Sequence, residues 1–95
     1  MSAYLIVDLE ITDPDVIQEY ARQAPAVIQK YGGKYLVRGG AWEALEGDWR
    51  PKRVVVLEFP SVEQAKRWYD SDDYKKLKDM RLKAAKSNLI LVEGV

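Results

Sequence analysis

The sequence contains no cysteine and no histidine. Without cysteine there is no disulfide, no thiol nucleophile and no thiolate metal site. Without histidine the commonest general base and metal ligand near neutral pH is missing. A metal site would need carboxylates alone, which suit hard ions such as magnesium or calcium; no metal and no cofactor is expected. Charge of either sign is not in excess. Lys plus Arg and Asp plus Glu both number 15, so the formal net charge is zero. The densest basic stretch, Lys75, Lys76, Lys78, Arg81, Lys83 and Lys86, is interleaved with Asp72, Asp73 and Asp79. It reads as the solvated side of a helix rather than a phosphate-binding face, so nucleic-acid binding is not expected. No apolar run approaches the roughly 20 residues of a membrane span. The opening MSAYLIVDLE has no basic leader or cleavage signal, and a cytoplasmic location is the expectation. No GxGxxG or GxxxxGK phosphate loop occurs. A Ser-His-Asp triad is excluded by composition.

What is present describes a globular chain. The 95 residues are 47% hydrophobic and 32% charged, which predicts one domain over residues 1–95. A chain of this size buries roughly two-thirds of its unfolded surface, so association would help stabilise it.

Ala3 to Ile11 is apolar and β-branched, as in a strand buried on both faces. Thr12 or Asp13 then caps a helix, with Pro14 in its first turn. Val16, Ile17, Tyr20, Ala24, Val27, Ile28 and Tyr31 recur at helical spacing. Pro25 falls inside that stripe and is expected to kink the helix or start a second one. Gly32 offers a left-handed cap. Lys34 to Arg38 reads as a second strand, with Gly39-Gly40 marking a bulge and Ala41 to Glu46 as a continuation. Arg53 to Phe59 is the third strand. Ser61 caps the next helix, and Ser71-Asp72-Asp73 recaps a further stretch with Tyr74, Leu77, Met80 or Arg81, and Ala84 facing inward. Ser87 to Glu93 is the last strand. Short loops are expected throughout. The halves repeat weakly, Tyr4, Ile6 and Asp8 matching Val54, Val56 and Glu58. Two interlocked βαβ units predict an α+β, ferredoxin-like βαββαβ fold with an antiparallel sheet of order 4-1-3-2.

Helices cover one face of such a sheet. The other should then alternate to polar residues. It does not: Tyr4 and Ile6, Val54 and Val56, and Ile90 and Val92 would all face water. A second copy laid against that face is the simplest cover, so a homodimer is expected. The β-propensity of Val and Ile is the competing explanation.

Three charges break the apolar pattern. Asp8, Glu58 and Arg38 are expected on the open face of neighbouring strands, where they converge if the register allows. One reading is a structural salt-bridge network or an exposed rim. The other is a ligand site, with Arg38 anchoring an anion or carbonyl and Asp8 or Glu58 moving a proton. Trp68, Tyr69 and Tyr74 form a second cluster, with Arg81 about one turn beyond; aromatics on a helix are more often core than site. Trp49, in a turn-rich segment, is either an interface anchor or packed on its own hairpin.

The segments YLIVDLEITDP (Tyr4 to Pro14), YLVRGG (Tyr35 to Gly40), LEGDW (Leu45 to Trp49), VVLEFPS (Val55 to Ser61), WYDSDDY (Trp68 to Tyr74) and AAKSNLILVEGV (Ala84 to Val95) closely resemble the bacterial family called domain of unknown function thirteen-thirty. The resemblance covers nearly the whole chain. It implies membership of the dimeric α/β-barrel superfamily, hence a ferredoxin-like protomer and a two-fold dimer with an internal barrel. Superfamily relatives include cofactor-free monooxygenases, muconolactone isomerase-like enzymes, haem-dependent members and stress-response proteins, among which fold does not transfer function. The resemblance implies as site candidates Arg38, Gly39, Gly40, Glu58, Trp68, Tyr69, Ser71, Tyr74 and Arg81. The expected function is binding of a small oxygenated organic molecule, as a cofactor-independent enzyme of monooxygenase or isomerase type. A non-catalytic homodimeric binding or stress-related protein is the alternative.

Overall fold

The computed structural model describes residues 1–95. The elements in chain order are β1 (Ala3–Ile11), α1 (Pro14–Lys30), β2 (Lys34–Arg38), β3 (Val54–Phe59), α2 (Val62–Tyr69), α3 (Asp72–Ala84) and β4 (Ala85–Glu93). The antiparallel sheet has the order β2-β3-β1-β4, which is the expected 4-1-3-2 order read from its other edge.

Each helix starts where a side-chain oxygen takes an otherwise orphaned backbone N–H. Asp13 accepts from Val16 N, Ser61 from Gln64 N and Ser71 from Tyr74 N. Gly32, at φ +84°, turns the chain out of α1 in the left-handed conformation glycine adopts freely. Pro25 neither ends α1 nor starts a new helix; α1 runs through it to Lys30. Tertiary packing of Ala24 and Ile28 into the core holds the helix together on both sides of it. The missing Pro25 N–H leaves the Ala21 carbonyl without its partner four residues on.

The register sorts the sheet into two faces. Leu5 stands beside Leu57 and Leu91, and Val7 beside Val55 and Leu89, on the face the helices cover. Ile28, Phe59, Ala65, Trp68, Tyr74 and Leu77 close the core above them. The opposite face carries Tyr4, Glu58 and Val92 in one row and Ile6, Val56 and Ile90 in the next. Nothing in the chain covers most of that face, and Ile90 is 57% exposed. The molecule is only 16 Å across its thin dimension, one sheet and one helix layer.

Two expectations fail between β2 and β3. Ala41 to Glu46 does not extend β2, and the connection is long: Gly39 to Arg53 holds neither helix nor strand. Gly39, at φ +73°, turns the chain away, and its N–H closes the ladder on Val54 O.

Candidate functional site

The expected meeting of Asp8, Glu58 and Arg38 does not occur. Asp8 pairs with Val54 and Glu58 with Tyr4, four residues apart along β1. That puts the two carboxylates about 13 Å apart at strand rise. Asp8 ties down the long connection: its Oδ2 accepts from Trp49 Nε1 at 3.2 Å and its Oδ1 from Lys52 N at 2.9 Å. Trp49 is thus tied to its own sheet by its indole N–H, while 62% of the residue stays exposed. Glu58 meets Lys34 Nζ at 3.3 Å across β2 and β3. A Ser2 hydrogen bond, helped by Lys34, holds its carboxyl below the usual range.

Arg38 lies on the other face. Tyr35 opposes Leu57, but Val37 opposes Val56 and Arg38 opposes Val55, so β2 carries one extra residue at Leu36. A bulge of one residue exchanges the faces of everything after it. Arg38 thus turns to the helix side, stacks over the Tyr35 ring with its guanidinium carbon 4.5 Å from the centroid, and donates through Nη2 to Ala21 O at 2.6 Å. The carbonyl that Pro25 leaves free is the one Arg38 takes.

There Arg38 borders a cavity of about 60 Å³ between the sheet and the helices. The walls are apolar, with Val7, Val55, Leu57 and Leu89 from the sheet and Ile17 and Ile28 from α1. The polar lining consists of Tyr20, Tyr35, Trp68, Tyr74, Arg38, Arg53 and Arg81, and includes no Asp or Glu. Three guanidinium groups thus line one apolar space. None is in an ion pair; the chain's ion pairs are Arg22–Glu19, Lys30–Asp73 and Lys34–Glu58.

Arg81 is the most unusual of the three. It is 4% exposed, and of its five N–H donors one is used, Nε donating to Tyr74 Oη at 3.3 Å. Tyr74 Oη in turn lies 2.6 Å from Tyr20 Oη. Burial works against the Arg81 charge, but the Tyr74 oxygen, with Tyr20 and Tyr69, outweighs it and raises the pKa. Burial first, and Tyr74 next, push the Tyr20 phenol far above its ordinary value, so it stays protonated. Burial also raises Tyr35, with Arg38 and Arg53 pulling the other way.

Trp68 packs at the cavity wall with its ring centroid 4.2 Å from that of Tyr74 and 5.3 Å from that of Phe59. Its Nε1 is buried and has no hydrogen-bond partner, an expensive state for an indole N–H. Ser71 joins α2 to α3: its hydroxyl donates to Trp68 O at 2.8 Å and accepts from Tyr74 N at 3.1 Å. It sets Trp68 and Tyr74 in place without lining the cavity. Tyr69 stands behind Trp68 with the Lys78 ammonium 4.1 Å over its ring. Gly39 underlies the Arg53 guanidinium so closely that a Cβ there would come 2.2 Å from Nη1. Gly40 touches nothing in the site.

The structure therefore gathers Arg38, Trp68, Tyr74 and Arg81 at one cavity, with Gly39 and Ser71 behind them. It leaves Asp8 and Glu58 on the opposite face. Tyr20, Tyr35 and Arg53 are additions. Arg53 had a signal: it shares the alternate-residue parity of Val55, Leu57 and Phe59, a charge on the covered face. No three acidic side chains come together to hold a metal ion, and no helix is long and apolar enough to cross a membrane.

The fold is shared with solved structures. A protein of unknown function from Rhodopseudomonas palustris is 20% identical, with a TM-score of 0.79 over 99% of this chain and 82% of that one. A dimeric ferredoxin-like protein of unknown function from Jannaschia sp. CCS1 is 12% identical, with a TM-score of 0.74 over 99% and 100% of the two chains. SnoaB, a cofactor-independent oxygenase from Streptomyces nogalater, is 11% identical, with a TM-score of 0.66 over 99% and 93%. At such identities the likeness shows the fold alone. No curated protein matches the chain. The family model described as Domain of unknown function (DUF1330) matches residues 2–95, and the chain belongs to that family.

Proposed function

We propose that this protein is a homodimer that holds a small, oxygenated, partly apolar organic molecule in the cavity between sheet and helices. The observation that carries the reading is Arg81, a residue 4% exposed whose guanidinium lines an apolar cavity with unused donors and no carboxylate partner. A buried charge is costly unless something pairs with it. A ligand oxygen is the missing partner, and Trp68 Nε1 is a second donor without one. The lining is rich in donors and poor in acceptors, which selects an acceptor-rich ligand. The homodimer is supported by the uncovered apolar face and by the dimeric relative from Jannaschia.

As a cofactor-independent enzyme, of the kind the SnoaB name describes, the site would move protons through the Tyr20–Tyr74 pair, the hydroxyls nearest Arg81. The absence of a carboxylate from the lining favours the second reading, a binding protein without turnover.

Thermal unfolding against small carboxylates, phenols, quinones and lactones tests the proposal, with wild type, Arg38→Ala and Arg81→Met side by side. At about 100 times its dissociation constant a ligand adds roughly 2.7 kcal/mol of stability. A shift in the wild type that disappears in Arg81→Met is expected. No shift with any compound, joined to a large loss of stability in Arg81→Met, would make Arg81 a structural residue and end the proposal. Product formation from a compound that shifts the wild type separates enzyme from binding protein.

A further inference from the structure

The cavity's innermost charge is Arg81, but two more guanidinium groups stand at its β2–β3 end. Arg38 and Arg53 both border the cavity and both act on the Tyr35 phenol. Neither has a carboxylate partner. Arg53 makes no side-chain hydrogen bond, and its guanidinium lies directly against Gly39, whose φ of +73° favours glycine. Arg38 makes one hydrogen bond, to a carbonyl that is available because of Pro25. In an uninterrupted helix the N–H of residue 25 would take the Ala21 oxygen. Proline supplies no N–H, and Ala21 lines the cavity. The chain thus keeps a neutral oxygen beside the opening, and an exposed cation rests on it.

Volume gives the resting contact a role. A space of about 60 Å³ is less than half the dry cavity of about 150 Å³ that takes a benzene ring. A ring-sized ligand needs extra room. The buried aromatic walls do not give it cheaply. Arg38 is exposed and has only the Ala21 carbonyl and the Tyr35 ring to leave.

We propose that this end of the cavity is an anion seat, in which Arg38 exchanges the Ala21 carbonyl for an oxyanion of the ligand and binds it together with Arg53. The inference rests on the cavity being a small-molecule site and narrows the ligand to an organic acid. Its apolar body lies toward Trp68 and its charged group at the β2 end. Pro25 is a positioning residue: it never touches the ligand, but it keeps the carbonyl open that parks Arg38 at the entrance. A planar guanidinium pair suits a carboxylate or enolate better than a neutral carbonyl.

Benzoate and benzamide test the seat, because they share a shape and differ in charge. Calorimetric titration of the full-length protein is expected to give benzoate at least about tenfold the affinity of benzamide. Arg38→Met and Arg53→Met should each remove most of that preference, weakening benzoate far more than benzamide. Pro25→Ala returns an N–H to the Ala21 oxygen, loosens Arg38 and should tighten benzoate by about tenfold, the lower end of the worth of one hydrogen bond to a charged group. If another compound from the panel above proves the better ligand, its acid and neutral amide forms replace the pair. Equal binding of acid and amide, or a preference that survives both arginine variants, overturns the anion seat while leaving the cavity reading intact. An unchanged benzoate affinity in Pro25→Ala overturns the tether. No binding of either probe or of any panel compound removes the cavity reading, and the seat with it.

Discussion

Arg81 is the one charged residue buried among the core side chains. Its guanidinium is buried, its internal partner is one phenol oxygen, and no carboxylate offsets its desolvation. Replacing a buried ion pair by apolar residues is often neutral or stabilising; Arg81→Met removes a charge with no carboxylate partner and one hydrogen bond to a Tyr74 oxygen that keeps Tyr20 as its partner. Arg81→Met is therefore expected to unfold at the same temperature as the wild type or higher, with a gain of about 1 kcal/mol raising Tm by roughly 4–8 °C in a domain of this size. The neighbouring change has the opposite sign. Tyr74→Phe keeps the ring against Trp68 but removes the oxygen that meets both Tyr20 and Arg81, at a cost of about 1 kcal/mol or more. Thermal denaturation followed by circular dichroism reads both. A wild type less stable than Arg81→Met but more stable than Tyr74→Phe is the pattern of a residue kept for binding. A large loss in Arg81→Met would instead assign the guanidinium to the core.

Among the elements, the α2–α3 junction and the α1–α3 contact set the cavity's walls, and each rests on few groups. Ser71→Ala removes the cap on α3 and the hydroxyl bond to Trp68 O at once. A loss of about 1 kcal/mol is expected, and the Trp68 carbonyl keeps only the Ser71 backbone N–H at 3.2 Å. On the far side, Asp73 of α3 accepts from Lys30 Nζ at 2.7 Å and from the Tyr31 hydroxyl at 3.0 Å. Lys30 first and Tyr31 next hold its carboxyl below the usual range. A lowered folded-state pKa contributes stability that is present above the unfolded value, about 3.9, and is lost as pH falls through the folded one. Asp73→Asn should therefore flatten the stability curve in acid below about pH 4 and leave the slope above pH 5 alone. A chemical-denaturation series against pH measures it, and identical acid slopes would discharge the pair from this role. The caps, the sheet order and the strands other than the expected β2 continuation over Ala41 to Glu46 were legible in the sequence to within two residues, because each is written locally: a hydroxyl or carboxylate before a periodic run, or two apolar parities along one strand. The bulge in β2 was not. Tyr35, Leu36 and Val37 suit either face, so no polar residue reports the slip at Leu36. That one residue moved Arg38 from the open face to the cavity and separated it from Asp8 and Glu58. The partner of Arg38 was equally unreadable, since the Pro25 interruption shows in the sequence but the carbonyl it frees has meaning only once β2 lies beside α1.

The whole molecule has more surface than its mass requires. A monomeric protein of 10.9 kDa is expected to expose about 5,600 Å², and this chain exposes 6393 Å². The excess, about 800 Å², is one partner's share of a standard protein interface. Its location fits: Ile90 and Val92 are 57% and 40% exposed on the uncovered sheet face, and the Gly39 to Arg53 connection brings Trp42, Leu45 and Trp49 beside Ile6 and Val54 on the same side. A second copy placed there gives a four-layer, helix-sheet-sheet-helix particle in which both sheets are covered. Ile90→Arg tests this with little risk to the protomer, since that side chain leaves little apolar burial behind within one chain. Light scattering on the wild type is expected to give twice 10.9 kDa, and on Ile90→Arg a single mass or a concentration-dependent mixture. The unfolding temperature of the wild type should rise with protein concentration, and that of Ile90→Arg should not, because association stabilises by mass action. A wild type that stays monomeric at high micromolar concentration, with an unfolding temperature independent of concentration, would leave the apolar sheet face to some other partner and remove the two-fold dimer from the account of this protein.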